Sequence, residues 1–464
     1  MAGLFGTLNT AGGGVRAQQV ALQTTGHNLA NANSIGYSRQ RVTMEANLPQ
    51  SIAGIGQIGT GVLINGITRV TDEFVVMQLQ NETASLVRFE QESEILGQLE
   101  ALYNEPSTTG IAHQMSELFV SWGNLASNPE SITSKSMVIR RTETFLDTVN
   151  HTMNKTNGLI KETENLVSKD VLDFNELAEQ LKSINDQIFY ATVQGERPND
   201  LQDTQDMIVG NMKNIAGVDV STDKYGRKFI TLDGETIVDK NSVVELEMSD
   251  TVPAGVKVGD VELTINSGSI KGLQDSRETV VNKQEDLAGF VDNLVAAINT
   301  IQTNNLPGGI PFFIGADGSY EVNPDLLDDS SLLVTGKSMT NDIAGDGSRA
   351  KAIADLQNLS LGEDSTYDAD SMSFTNDPSG STLFSQYNEI VTDLGIIKQQ
   401  ADNMAANQVD LTALLEQRQA SISGVDINEE VVNMIQFQSA FQANSRVITT
   451  IAEMLDTLIN RTGV

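Results

Sequence analysis

Cysteine is absent from the 464 residues, which removes a disulfide framework, a thiolate metal site and a cysteine nucleophile together. Aromatic residues make up only 5%, with a single tryptophan, Trp122, so long helices and slim domains suit the composition better than one thick core. Histidine is scarce too. His27, His113 and His151 are far apart, and none stands at ligand spacing from another histidine or a glutamate. No zinc site or histidine-based triad is therefore readable. No apolar run approaches the roughly 18–20 residues that span a bilayer. The segment 1–16 lacks a basic stretch followed by an apolar one, so no cleaved secretory signal is expected. By composition alone the chain reads as cytoplasmic. Positive charge is outnumbered: 29 Lys and Arg against 62 Asp and Glu leave a formal net charge of −33. That field repels phosphates, so neither nucleic acid nor an anionic membrane surface is an expected partner.

The length is enough for two to four structural units. Both ends carry a 4–3 apolar spacing. At the start it runs Leu4, Leu8, Ala11, Val15, Gln18, Leu22, Thr25, Leu29; at the end Ile427, Val431, Met434, Gln438, Phe441, Ser445, Ile448, Ala452, Leu455, Ile459. A repeat averaging ~3.5 residues is the seam of a coiled coil. Asp426 with Glu429 predicts a capping box that starts the last helix. Gly12, Gly13 and Gly14 weaken the first helix, by roughly 1 kcal/mol each relative to alanine. Ordering a residue costs about 1–2 kcal/mol, and burying a large apolar side chain returns about 1.5–3. An isolated end helix buries nothing and cannot offset that cost. The ends need a partner, either each other in a monomeric hairpin or further copies of the chain.

Residues 34 to 70 are rich in glycine and β-branched side chains and read as extended segments and turns. From 72 to 214 the pattern is mostly helical, including Glu90–Leu102, Ser131–Asn150 and Leu172–Gln194. Strands follow between 218 and 270, at Phe229–Thr231 and Val243–Leu246, with turn signals at Asp223–Gly226 and Asp233-Gly234. A helix returns over Arg277–Gln302. Residues 306 to 378 read as an insert of short strands and loops, and helix resumes at Leu383, breaking near Gly424. Trp122 is expected in a helix core. Asp328-Asp329 and Asn341-Asp342 with Asp346-Gly347 do not match an EF-hand, and turn chemistry accounts for them better. Gly54-Ile55-Gly56 has no phosphate-loop lysine after it, and no cofactor is expected.

The segment Asn28-Leu29-Ala30-Asn31-Ala32-Asn33-Ser34-Ile35-Gly36-Tyr37-Ser38-Arg39-Gln40 resembles the N-terminal signature of the flagellar rod, hook and hook-associated protein family. Its Gly-Tyr-Ser-Arg-Gln ending is similar to that of the members at the hook–filament junction. The resemblance continues through Pro198-Asn199-Asp200-Leu201 with Asp203 and Asp206, and through Gly272-Leu273 with Asp275 and Arg277. It is strongest at Ser423–Glu430 and runs on through Gln436–Ala443; His27, Ile35, Gln205 and Phe441 depart from the usual residues.

The resemblance implies a non-enzymatic structural subunit, mainly α with a β-rich insert, in a nested elongated architecture. Residues 1–33 with 426–464 would form a terminal coiled-coil domain. A helical bundle would take 34–215, 272–305 and 379–425, and an outer β region 216–271 with 306–378. The implied partners are copies of itself, the hook protein, the second junction protein and an export chaperone at the C-terminal helix. Export would run through the flagellar type III channel. Another axial role in the family, or an added adhesive role of the β-rich part, are the alternatives. The expected assembly residues are Leu4, Leu8, Val15, Leu22, Asn28, Leu29, Asn31, Gly36, Tyr37, Arg39, Val431, Met434, Phe437, Phe441, Ile448, Leu455 and Leu458.

Overall fold

The computed structural model describes residues 2–52, 56–306, 308–316, 318–339, 344–362 and 364–461. Gly54, Ile55, Asn341 and Asp342, singled out above, lie outside the described residues. The fold is mainly α with small antiparallel sheets. In chain order come α1 (Ala2–Ala30), β1 (Gln40–Ala46), β2 (Gln50–Ile52), β3 (Gly56–Ile58) and β4 (Val62–Arg69). Then follow α2 (Glu73–Tyr103), α3 (Ile111–Ser127), α4 (Ile132–Val193) and α5 (Asn199–Ala216). The strands β5 (Asp219–Thr222), β6 (Lys228–Leu232), β7 (Glu235–Val238), β8 (Glu247–Met248), β9 (Val256–Val258) and β10 (Val261–Leu263) precede α6 (Ser269–Thr303). Last come β11 (Phe313–Ala316), β12 (Ser319–Val322), α7 (Pro324–Asp328), α8 (Ser348–Asp355), β13 (Tyr367–Asp368), β14 (Ser373–Phe374), α9 (Leu383–Ser423) and α10 (Ile427–Asp456).

The stretches read as helices over Ser131–Asn150 and Leu172–Gln194 belong to one helix, α4. No proline interrupts it. Thr142, Thr148, Thr152, Thr156 and Thr163 return their hydroxyls to carbonyls four residues back, which satisfies them without leaving the helix. Asp233 and Gly234 both take positive φ, as a two-residue turn between β6 and β7 requires. The strand expected over Val243–Leu246 does not form. Val243 makes only an isolated bridge to Val238, and the Asn175 side chain bonds both the amide and the carbonyl of Leu246 at 2.8 and 2.9 Å. A side chain thus occupies the backbone groups that a neighbouring strand would need. The 306–378 insert contains α7 and α8 as well as strands. Asp329 accepts from the Ser331 amide and Asp346 from the Lys337 and Ser348 amides, which is turn chemistry.

The chain packs as two compact units. The first comprises Met1–Leu86, Asp170–Ser269 and Asn407–Val464; the second comprises Val87–Lys169 and Ile270–Ala406. The two β-rich stretches expected to share one outer region therefore fall into different units. In the first, β5–β6–β7 lies on the end of α4, where Asn185 bonds the Lys228 amide at 3.0 Å and its carbonyl at 2.7 Å. In the second, Asn299 near the end of α6 holds the amides of Phe312 and Phe313, each at 2.9 Å. Side-chain amides on helices, invisible to strand periodicity, decide where each stretch docks.

Trp122 is fully buried in the second unit, edge-on to Phe312 with ring centroids 5.2 Å apart. Arg349, equally buried, has no carboxylate within ion-pair distance among the described residues. Its guanidinium donates to the carbonyls of Gly336, Gln302 and Lys337 at 3.0–3.1 Å, and to that of Ile301. Ile301 and Gln302 lie in the last turn of α6, where a cation is favoured by the helix dipole. Arg349→Met strands those carbonyls in the interior. It is expected to destabilise the second unit by roughly 3 kcal/mol, read as urea unfolding by Trp122 fluorescence. A shift below about 1 kcal/mol would mean the carbonyls find other donors.

Candidate assembly interface

Within the first unit α1 and α10 pack along their lengths. The most covered line on α1 is made of short side chains: Ala11, Gly14, Ala17, Ala21, Thr24 with the expected Thr25, and Asn28. On α10 the covered line is Glu430, Met434, Phe437, Phe441, Asn444, Ile448, Ile451 and Leu455, in alternating steps of four and three. The heptad spacing holds, but alternate positions differ from the reading above. Met434, Phe441, Ile448 and Leu455 stay; Val431, Gln438, Ser445 and Ala452 give way to the residue before each.

The reason lies on α1. A Cβ on Gly14 would meet the Asn444 side chain at 2.9 Å, so the two helices approach too closely there for a large residue on α1. Gly12, Gly13 and Gly14, read above as weakening the helix, stand within α1, and Gly14 permits this contact. Leu4, Leu8, Val15, Leu22 and Leu29 are half-buried beside the line rather than on it. Val431 and Leu458 are exposed.

Where α1 ends, the signature residues form one connected network. Asn31 turns back on His27, donating to its carbonyl at 3.1 Å, and Gly36 takes a φ of 78° as the chain reverses. Asn28, 1% exposed, uses its whole hydrogen-bonding capacity. Its Nδ2 donates to the Gln40 carbonyl at 2.9 Å and to Glu430 Oε2 at 3.2 Å. Its Oδ1 accepts from the Gln40 amide at 2.9 Å and the Tyr37 hydroxyl at 2.7 Å. Arg39 grips both glutamates that open α10: its Nε lies 2.9 Å from Glu430 Oε1, and its Nη2 donates to Glu429 Oε1 at 2.8 Å. The Arg39 amide donates to the Ser423 carbonyl, where α9 stops.

Asp426 caps α10 by accepting from the amides of Asn428 and Glu429. Only that half of the expected box forms, because the Glu429 carboxylate turns to Arg39 instead of to the Asp426 amide. The hydrogen bond from Arg39 holds Glu429 below the usual carboxylate range. Burial, followed by the charges of Asp200, Asp203 and Glu430, pushes the Tyr37 hydroxyl well above its ordinary value. Tyr37 therefore remains a donor to Asn28 throughout the physiological range.

The start of α5 buttresses this network from behind. Asp203 accepts from the Ser38 amide at 3.0 Å and from Arg69 at 2.8 Å, while Asp206 accepts from Arg69 at 2.7 Å. Burial works against the Arg69 charge, but the two carboxylates outweigh it and raise its pKa. Gln40 reaches Asp200 at 2.6 Å, and Asn199 reaches Gln40 Oε1 at 3.2 Å. Gln40, Asn199, Asp200, Asp203, Asp206 and Glu430 stand within the motifs above, which assign them no role, and Arg69 stands in none of them. The available signal was their polarity next to apolar helical positions; only folding shows that they meet.

Residues 96–313 match the model of the flagellar hook-associated protein FlgK helical domain. Residues 416–461, containing α10, match that of the flagellar basal body rod FlgEFG protein C-terminal region. Flagellar hook-associated protein 1 of Bacillus subtilis is 27% identical, covering 100% of this chain and 99% of that protein. Its Escherichia coli counterpart is 26% identical over 98% of this chain and 99% of its own length. Over its full length the chain is similar to flagellar hook-associated protein 1. Family members are structural flagellar proteins, not enzymes, and this one is a structural component of the flagellum. The fold agrees: the structure of the flagellar hook junction protein FlgK from Burkholderia pseudomallei superposes with a TM-score of 0.61 at 14% identity. That likeness covers 75% of this chain and 100% of the other. Among the described residues no helix is long and apolar enough to cross a membrane.

Proposed function

We propose that the protein forms the junction between hook and filament and that filament growth depends on it. It reaches the hook tip through the flagellar type III channel and assembles there through α1 and α10. One observation carries this reading. Val432, Ile435, Val447 and Met454 form a second apolar face on α10 that α1 leaves exposed, and Leu458 is exposed just beyond its end. In a chain of net charge −33, such a face on a terminal helix is a docking surface. Its neighbours are copies of the chain, the hook protein and the second junction protein. Before assembly the same face suits an export chaperone, with a groove taking the helix's apolar side. Full-length likeness to hook-associated protein 1 in two distant bacteria supports the junction role over a rod or hook role.

Deleting the gene is expected to leave hooks without filaments and to release unpolymerised flagellin into the medium. Electron microscopy of the deletion strain decides between roles. Loss of the hook itself would assign the protein to the rod or hook instead.

A further inference from the structure

The first unit encloses a cavity of about 140 Å³ between the start of α2, the end of α5 and strands β5 and β6. Its charged lining is unbalanced. Lys213, in the last turn of α5 and 5% exposed, donates from Nζ to the Asn81 amide oxygen at 2.7 Å. Among the described residues no carboxylate lies within ion-pair distance of it. Lys228 on β6 is bonded to Asp206, and Asp206 shares Arg69 with Asp203. Three cations, Arg69, Lys213 and Lys228, thus line the cavity with two carboxylates, Asp206 and Glu73. Asp219 and Glu73 are nearby acids, but both are solvent-exposed. Burial first, and then the charge of Lys228, push the Lys213 pKa down. Asn81 and the carbonyl end of α5 relieve only part of the cost of a desolvated ammonium.

Val76, Met77, Val209 and Val220 make the apolar part of the wall, and Thr71, Gln202, Gln205 and Thr222 also line it. The volume exceeds the roughly 30 Å³ of a water several-fold, leaving room for a tetrahedral ion. Gln80 also lines the cavity, with its amide already donated to the Asp206 carbonyl at 2.9 Å, so the wall there is fixed.

We infer that this cavity is a binding site for a small free oxyanion of the phosphate or sulfate class, held between Lys213 and Lys228 with Arg69 alongside. The bound anion supplies Lys213 with the charge partner that it lacks within ion-pair distance among the described residues, and ties the end of α5 to β6. Because the anion binds the folded chain only, its occupancy adds to the stability of the first unit. The protein's overall negative field opposes anions at long range, so the site acts through short-range contacts.

The test is calorimetric titration of the full chain with inorganic phosphate at constant ionic strength, balanced with chloride. Wild type is expected to show saturable single-site binding, and Lys213→Met to weaken it by more than about tenfold, the usual effect of removing one buried charge partner. Lys213→Arg, which keeps the charge, should bind within a few-fold of wild type. If Lys213→Met does not fold, as judged by circular dichroism, Lys213→Gln takes its place because its amide can still bond Asn81. Absence of saturable binding to wild type overturns the site. So does undiminished binding to the folded neutral variant, and so does a thermal response to phosphate no larger than that to chloride.

Discussion

Phe441→Asp is expected to abolish incorporation into flagella while the second unit stays folded. Phe441 is half-buried on the covered line of α10, one step from Phe437 and Asn444 and two from Met434 along that line. A carboxylate there must either be desolvated against α1 or force the two helices apart. Placing a polar or charged group in such a site without a partner costs on the order of 2–5 kcal/mol. The pairing of α1 with α10 has little to offset it, since the α1 side of the contact is built from alanine, glycine and threonine. Trp122 makes the experiment clean. It is the only tryptophan, it is buried in the second unit, and Phe441 belongs to the first. Its fluorescence should match wild type while a deletion strain carrying the variant remains without filaments. Filaments of normal length and number would sink the terminal-seam account; a shifted Trp122 spectrum would show that the damage spreads beyond the first unit.

Asn28→Leu should be the most damaging single change at the end of α1. It removes both donors and the acceptor on which Gln40, Tyr37 and Glu430 converge. Leucine is close in size, so the loss is one of hydrogen bonds rather than of volume. It leaves the buried Gln40 backbone groups and one oxygen of Glu430 without that partner, at an expected cost of roughly 3–5 kcal/mol. Asn28→Asp tests the electrostatics separately. It keeps the acceptor but sets a second carboxylate against Glu430, which is 2% exposed, and should be no better tolerated. Hydrogen exchange at the Gln40 amide, with the melting temperature, reads both variants. Wild-type protection of that amide in Asn28→Leu would show that the network is not what fixes β1 to α1.

The helical ends, the break at Gly424, the β-rich stretches and the burial of Trp122 were legible from spacing and turn chemistry alone. Both are local properties: a 4–3 repeat, an Asp-Gly turn or an N-cap aspartate means the same thing wherever the chain goes. The likeness to the hook-associated proteins was legible in the same way, through short motifs in order. What spacing could not give was the identity of the face. On α10 it found Met434, Phe441, Ile448 and Leu455 but set the alternate positions one residue late. The 4–3 spacing places Gln438, Ser445 and Ala452 on the seam, whereas packing against α1, with Gly14 close to Asn444, covers Phe437, Asn444 and Ile451 instead.

The polar network shows the same division more sharply. Asn28, Arg39, Arg69, Asp203 and Glu430 are scattered over four hundred positions, and nothing local says that they share one site. The sequence by itself determined which segments become helices and that the two ends need a partner, because periodicity and chain entropy act locally. Tertiary structure alone decided which face of each end is covered, which carboxylates meet Arg39 and Arg69, and that Lys213 is buried beside a cavity with no carboxylate within ion-pair distance among the described residues. Those outcomes depend on distances between segments remote in the chain, which only the packing of backbone against backbone sets.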